Sequence, residues 1–174
     1  VKTAYVAYVE GRVEMPPVQH LDVSKHNGEV DVKSSYVEDF GLIATKVASG
    51  FYDNPLKGLP PGTAIIVLLD LETSLPIAIM DGTHITAYRT GAAGAVAASV
   101  LARKNSTRVG ILGAGTQGRM QLLGLLEEFD IEQVKIWDIS SEAAEKYALE
   151  MKRDYDVEIA VVSTPEHVLP DSDI

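Results

Sequence analysis

The sequence contains no cysteine, so it can form neither a disulfide framework nor a thiolate metal site. Its four histidines are scattered without the spacing of metal ligands, and we expect no metal. No apolar run is long enough to span a bilayer, and no signal peptide is evident, so we expect a cytoplasmic protein without a membrane partner. Basic residues form no cluster, and 25 acidic residues against 15 basic ones argue against nucleic acid as a partner.

The chain does contain enough apolar sequence for a core, since 46% of its 174 residues are hydrophobic. Its most informative segment is a glycine-rich turn between a predicted strand over residues 107–112 and a helical pattern. Gly113, Gly115 and Gly118 stand in this turn, and Asp138 follows the next apolar strand. Strand, glycines, helix and acid in this register are typical of a dinucleotide-binding βαβ unit.

Each part of this segment has a physical role in such a unit. Gly113 permits the tight turn, Gly115 lets the backbone approach a pyrophosphate, and Gly118 allows close packing of helix and strand. The helix N-terminus offers unpaired N–H groups to phosphate. Asp138 can accept hydrogen bonds from the adenosine ribose and would repel a 2′-phosphate, so we expect NAD rather than NADP as the cofactor. The alternative is a glycine-rich turn that binds nothing.

The region after this dinucleotide fingerprint, residues 107–138, continues the alternation of strands and helices. A short helical turn is predicted near residues 165–169, and residues 171–174 look like the start of a fourth strand. The other predicted elements are a strand 107–112, a helix 116–128, a strand 133–137, a helix 142–154 and a strand 157–162. Together they make one half of a doubly wound domain. Since there is also no initiator Met, we expect a piece of a longer protein.

The N-terminal half carries β signals instead. Asn27-Gly28 predicts a hairpin turn, and Gly11 a stop for a helix over residues 1–9. The predicted strands are 18–23, 30–37, 42–48, 63–69 and 76–80. A helix over 86–104 is rich in small residues, and its glycines suggest close approach of another backbone. The predicted fold class is α/β: a β-rich domain (1–88), a linking helix (89–104) and the first half of a Rossmann domain (105–174).

Three cations stand at sites where a charge is costly or unexpected. Lys46 interrupts an apolar strand, Lys33 lies in another strand, and Arg89 opens the helix of small residues against its dipole. Together they suggest a clamp for a substrate carboxylate. The alternatives are an outward-facing strand residue for Lys33 and a structural ion pair, for example with Asp81, for Arg89.

Three segments resemble the ornithine cyclodeaminase/mu-crystallin family: residues 41–60 around Lys46, residues 80–94 around Arg89, and residues 113–117. The resemblance covers nearly the whole chain. It implies an N-terminal dimerisation and substrate domain, a Rossmann domain, and a homodimer. It also implies NAD(P)-dependent chemistry at an α-amino or imine carbon, as in ornithine cyclodeaminase, alanine dehydrogenase and ketimine reductase.

The resemblance also implies roles for individual residues. Lys46 matches the lysine that meets the substrate carboxylate, and Arg89 the arginine near both substrate and cofactor. Thr116 and Gln117 match the loop residues on the pyrophosphate, and Asp138 matches the ribose acid.

Other positions depart from the family pattern. Lys33 falls where some members carry a substrate-binding arginine, although lysine lacks the bidentate fork. Val18 and Gln19 stand where many members have a basic residue, and Pro61 where many have threonine. These departures count against the ornithine reaction itself.

The sequence therefore predicts an NAD-dependent oxidoreductase acting on a small amino acid or imine, with Lys46 and Arg89 as its catalytic pair. The resemblance leaves open a ketimine reductase, and also a non-catalytic, crystallin-like NAD(P)-binding protein. A β-rich interaction domain joined to a nucleotide sensor is a further alternative.

Overall fold

The computed structural model describes residues 1–174, which divide into two compact units, Val1–Thr86 and Ala87–Ile174. No helix combines the length and apolar character needed to cross a membrane. The helices are α1 (Lys2–Val9), α2 (Thr83–Leu101), α3 (Thr116–Glu128) and α4 (Ser141–Asp154). The strands are β1 (Val13–Glu14), β2 (Gln19–Val23), β3 (Gly28–Val37), β4 (Leu42–Phe51), β5 (Gly62–Asp70), β6 (Pro76–Asp81), β7 (Arg108–Leu112), β8 (Gln133–Trp137) and β9 (Glu158–Val161).

The first unit is built on an antiparallel sheet in the order β1-β3-β4-β5-β6, with β2 also paired to β3. The predicted strands are all present, and β3 and β4 are longer than the apolar runs suggested. No local pattern predicts β1, which consists only of Val13 and Glu14 paired with Val37 and Tyr36.

The turn between β2 and β3 differs from the prediction. Asn27-Gly28 does not form a two-residue hairpin turn, because Gly28 already pairs with Val23 as the first residue of β3. The chain instead reverses through a 3₁₀ turn over Ser24–His26, and Asn27 ends this turn in the left-handed conformation at φ 46°. Asparagine tolerates that conformation, which explains why the turn signal was correct and its register wrong.

The two faces of this sheet differ in chemistry. Because side chains alternate along a strand, cross-strand partners share a face. One face carries Val47 and its partner Ile65, with Ile79 in the next row, and these are exposed by 42%, 56% and 75%. The opposite face carries Lys33 and its partner Lys46. We call the face with the exposed Val47, Ile65 and Ile79 the apolar face, although Asp81 pairs with Ile65 there, and the face with Lys33 and Lys46 the charged face.

The second unit contains a parallel sheet in the order β7-β8-β9, with α3 and α4 as its crossover helices. The predicted bounds of these elements are confirmed to within about one residue. Ile174 lies along the other edge of β7, where it accepts a hydrogen bond from Gly110 N (2.8 Å) and donates one to Arg108 O (3.2 Å). The chain therefore switches to the opposite edge of the first strand, as in a doubly wound sheet.

Helix α2 begins at Thr83, three residues before the prediction, because the Asp81 carboxylate accepts the Thr83 N–H at 2.7 Å and favours an earlier start. Arg89 therefore lies in the second turn of the helix rather than opening it. The predicted close approach of another backbone is confirmed, since a Cβ on Gly91 would lie 2.1 Å from the Met120 carbonyl oxygen.

Candidate functional site

The glycine-rich loop between β7 and α3 has the geometry that its sequence predicts. Gly113 has φ +107°, which side chains rarely allow, and its N–H donates to Trp137 O at 2.8 Å. A Cβ on Gly118 would lie 2.1 Å from Gly113 O, so only glycine fits there. Gly115 precedes α3, and no side chain caps that helix. The first N–H groups of α3 at Thr116 and Gln117 are therefore available to an anion.

Asp138 lies directly after β8 and is tied to this loop. Its Oδ2 accepts the Ala114 N–H at 2.7 Å, and its Oδ1 accepts the Ser140 N–H at 2.8 Å. A carboxylate offers about four acceptor positions, so two remain for hydroxyl groups of a ribose. The acid is thus oriented by the backbone before any ligand arrives.

A cavity of about 520 Å³ opens beside Asp138, at the C-terminal ends of β8 and β9. Its lining residues are Trp137, Asp138, Ile139, Ser141, Ala144, Glu145, Val161, Val162 and Ser163. In open α/β sheets, ligands bind outside the carboxyl ends of the strands. The volume falls within the range of small-molecule sites, and the mixed polar and apolar wall suits a nucleoside.

Tyr147 forms a hydrogen bond to the start of α3, next to the glycine-rich loop. The side chain is fully buried, and its hydroxyl donates to Gly118 O at 3.2 Å. The Arg119 guanidinium lies 5.1 Å from the centre of the Tyr147 ring and bonds the Glu150 carboxylate at 2.7 Å. Burial raises the pKa of Tyr147, which keeps its hydroxyl protonated as a donor.

Lys46 lies on the charged face of the sheet in the first unit, about half-buried. Its Nζ donates to Thr86 Oγ1 at 3.4 Å. Lys33 is its cross-strand partner, so the two ammonium groups belong to adjacent strands of the same face. Two cations therefore share this face, and the charge of Lys33 is paired with the Asp31 carboxylate 3.1 Å away.

Sequence reasoning missed two residues of this face, Asp31 and His20. Asp31 accepts a hydrogen bond from Lys33 Nζ (3.1 Å) and is bonded to His20 Nδ1 (2.8 Å). The bond to Asp31 raises the pKa of His20, and the same bond lowers the pKa of Asp31. The signal was available, since residues two apart on a strand share a face and Asp31 is two before Lys33.

Arg89 is exposed and belongs to the second unit. The Asp81 carboxylate accepts the Thr83 N–H at the start of α2, and an ion pair with Arg89 stays the alternative role for that cation. Arg89 therefore carries a charge on the surface of α2, where a ligand could contact it.

Comparisons with known proteins agree with these geometries. The sequence model of the ornithine cyclodeaminase/mu-crystallin family matches residues 1–174. A solved Δ¹-pyrroline-2-carboxylate reductase from Thermococcus litoralis, in complex with NADH and L-proline, is 41% identical at a TM-score of 0.96. That match covers 99% of this chain and 53% of the reductase.

Two alanine dehydrogenases are also similar. The enzyme of Archaeoglobus fulgidus is 40% identical over 147 residues, which are 84% of this chain and 44% of that protein. A solved archaeal alanine dehydrogenase dimer with bound NAD is 36% identical at a TM-score of 0.87, over 93% of this chain and 49% of that one.

The chain spans about half the length of the curated relatives it matches. The family model nevertheless matches it from its first residue to its last. Lys46 and the start of the dinucleotide loop, residues 113–117, also lie in the segments that carried the resemblance. The chain belongs to the ornithine cyclodeaminase/mu-crystallin family.

Proposed function

We propose that the whole protein is an NAD-dependent oxidoreductase acting on the α-amino or imine carbon of a small amino acid. The observation that carries this proposal is Lys46, a half-buried cation in a chain whose other unit bears a complete dinucleotide loop. Thr86 Oγ1 accepts a hydrogen bond from this ammonium, and a substrate carboxylate is a further acceptor that a cation binds strongly. The similar reductase and alanine dehydrogenase structures hold NADH or NAD.

The cofactor in this proposal is NAD rather than NADP. The pyrophosphate would lie against the start of α3, at Gly115, Thr116 and Gln117, and the adenosine ribose against Asp138. A fixed carboxylate favours a neutral 2′-hydroxyl over a 2′-phosphate. When bound, the nicotinamide would accept a hydride from the substrate or donate one to it.

The residues of the chain would then hold the substrate. Lys46, with Lys33 beside it on the charged face, binds the carboxylate, and Arg89 contacts both substrate and cofactor. In the oxidative direction the α-carbon loses a hydride and the nitrogen a proton, which leaves an imine; reduction reverses both transfers. Charge-assisted hydrogen bonds from the cations fix the α-carbon relative to the hydride acceptor.

Steady-state assays on the full-length protein test this function. L-Alanine, L-proline, L-ornithine and L-lysine are offered with NAD, and Δ¹-pyrroline-2-carboxylate with NADH, while absorbance at the NADH band is followed. We expect turnover of at least one compound, with its KM raised roughly ten- to a hundredfold in Lys46→Met. If NADH binds but no amino acid or imine is converted, the crystallin-like binding protein replaces the enzyme. If no small carboxylate alters cofactor binding, the nucleotide-sensor alternative gains support.

The protein is also proposed to act as a homodimer through the sheet of the first unit. The apolar face leaves Ile65 and Ile79 largely exposed, and a second copy of the chain would cover them. A similar alanine dehydrogenase is a dimer. The cytoplasmic location expected from the sequence stays a prediction.

A further inference from the structure

The cavity at the C-terminal ends of β8 and β9 has two acidic side chains in its wall and no basic one. Asp138 is the acid that the fingerprint predicts, whereas Glu145 lies on α4 and belongs to no motif. The other lining residues are neutral. A ligand that enters this cavity therefore meets two negative charges.

We propose that Glu145 is a second selectivity determinant, which disfavours a phosphate on the 2′-oxygen of the adenosine ribose. NADP would then be rejected by two carboxylates rather than one. The inference rests on the dinucleotide binding proposed above, and it concerns which of the two cofactors that site takes.

Helix geometry holds Glu145 at the cavity. Ser141, Ala144 and Glu145 all line it, and positions i, i+3 and i+4 share one face of a helix. The start of α4 is fixed by Ser140, whose hydroxyl accepts the Ala143 N–H at 3.2 Å. Glu145 therefore projects from a regular, capped helix instead of a loop.

The same helix explains why a second acid is needed. The N-terminus of a helix carries partial positive charge and attracts phosphate groups. Ser141, in the first turn of α4, also offers a hydroxyl to the cavity. Without an opposing charge, the start of α4 would favour a 2′-phosphate. Glu142 lies in the first turn but does not line the cavity, whereas Glu145, one turn further along than Ser141, supplies an opposing charge in the cavity wall.

The neighbouring cations are engaged elsewhere. Lys146 follows Glu145 in sequence, but its Nζ lies 4.0 Å from Glu150 Oε1, one turn further along α4. Arg119 bonds the same Glu150 at 2.7 Å. Neither cation lines the cavity, so the charge of Glu145 acts there without a basic partner in the wall.

Glu145 can also be changed more cleanly than Asp138. The Asp138 carboxylate accepts the Ala114 and Ser140 N–H groups. Replacing it would therefore disturb the glycine-rich loop and weaken the binding of both cofactors. Glu145 is exposed on the surface of α4. Its substitution therefore alters the charge of the cavity while leaving the loop intact.

The test compares Glu145→Gln with Glu142→Gln in the full-length protein. Both changes remove one negative charge from α4, but Glu142 does not line the cavity. Dissociation constants for NADH and NADPH are measured by calorimetry at low and high salt. We expect Glu145→Gln to bind NADPH roughly three- to tenfold more tightly, because the 2′-phosphate carries nearly two charges. NADH should gain less, and the gain for NADPH should shrink at high salt.

The possible outcomes distinguish the role of Glu145 from the proposed dinucleotide binding. Equal effects of Glu145→Gln and Glu142→Gln on the NADPH-to-NADH ratio would overturn the inference while leaving the proposed function standing. Weaker NADH binding by Glu145→Gln would also overturn it, since Glu145 would then be a direct contact. Wild-type protein that binds neither dinucleotide would overturn the proposed function and this inference together. A further gain for NADPH in Glu145→Lys would support the electrostatic account.

Discussion

The two units of this chain bury their apolar residues very differently. Among the buried apolar side chains, only Ala7 and Ala64 belong to the first unit. The second unit has a continuous core that includes Leu122, Ile136 and Tyr147. A parallel sheet covered by helices closes around its own apolar residues, whereas an open antiparallel sheet leaves one face uncovered.

This difference matches the roles proposed for the two units. The second unit presents a dinucleotide loop on a packed core, so its site is held by local structure such as the Asp138 bond to Ala114. The first unit presents its cations on one face of a sheet, and we propose that a second copy of the chain covers the other face. We therefore expect substitutions in the second unit to act on folding and cofactor binding, and those in the first to act on assembly and substrate.

The largest effect is expected where α2 meets α3 in the second unit. A Cβ on Gly91 would lie 2.1 Å from the Met120 carbonyl oxygen, and backbone cannot move aside cheaply. We expect Gly91→Ala to lower the free energy of unfolding by about 3 kcal/mol. Chemical denaturation followed by circular dichroism measures this change.

Gly94→Ala is the matched control on the same helix. Its Cβ would meet only the end of the flexible Gln121 side chain, which can rotate away. The gain in helix propensity, about 1 kcal/mol, should offset much of the remaining cost. Equal losses for the two variants would contradict the proposed close contact of the two backbones.

A smaller effect is expected on assembly through the apolar face of the first unit. Ile65→Asp would place a charge on the face that we propose a second copy covers. We expect the dissociation constant of the dimer to rise roughly thirtyfold. Sedimentation at several protein concentrations measures this constant. Leu149→Asp, at an exposed position of the second unit, should leave the dimer intact. An unchanged dimer in Ile65→Asp would exclude this face as the interface.

Sequence reasoning placed the elements of the second unit closely because its signals are local. The strand, Gly113, Gly118 and the helix follow one another within a dozen residues. The pairing of Lys33 with Lys46 is a relation between strands, and no local pattern fixes it. The same limit explains why β1, which exists only through pairing with β3, was not predicted. The roles of Lys33, Lys46 and Arg89 in substrate binding stay predictions.

A modest effect is expected from loss of the hydrogen bond between Tyr147 and Gly118. Tyr147→Phe removes the bond to Gly118 O and keeps the buried ring. We expect a loss of about 1 kcal/mol in stability and a few-fold weaker NADH binding, measured by denaturation and by calorimetry. Tyr155→Phe, at a partly exposed position, is the control. Unchanged stability and NADH affinity in Tyr147→Phe would show that the bond contributes nothing.

The smallest effect concerns the pH dependence of the second unit. Hydrogen bonds from the Thr107 N–H and the Arg108 and Arg103 side chains hold the pKa of Asp173 well below its usual value. A depressed folded pKa contributes stability above the unfolded pKa, and this contribution is lost as the pH falls. We expect Asp173→Asn to be less stable than wild type at pH 7, with the difference shrinking below about pH 4.

Asp171→Asn is the control for that comparison. Asp171 is exposed, and its carboxylate lies 3.8 Å from Lys135 Nζ, which is too far for a hydrogen bond. Its stability difference from wild type should change little between pH 7 and pH 3. If Asp173→Asn tracked wild type at every pH, the bonds to Asp173 would not stabilise the fold.

The Lys46→Met variant of the full-length protein tests whether the first unit binds the substrate and the second unit binds the cofactor. Its NADH dissociation constant and its KM for the amino acid or imine substrate are measured beside those of wild type. We expect unchanged NADH binding and a KM raised roughly ten- to a hundredfold, the contribution of one charge-assisted hydrogen bond. A normal KM, or a loss of NADH binding equal to the loss of substrate binding, would contradict it.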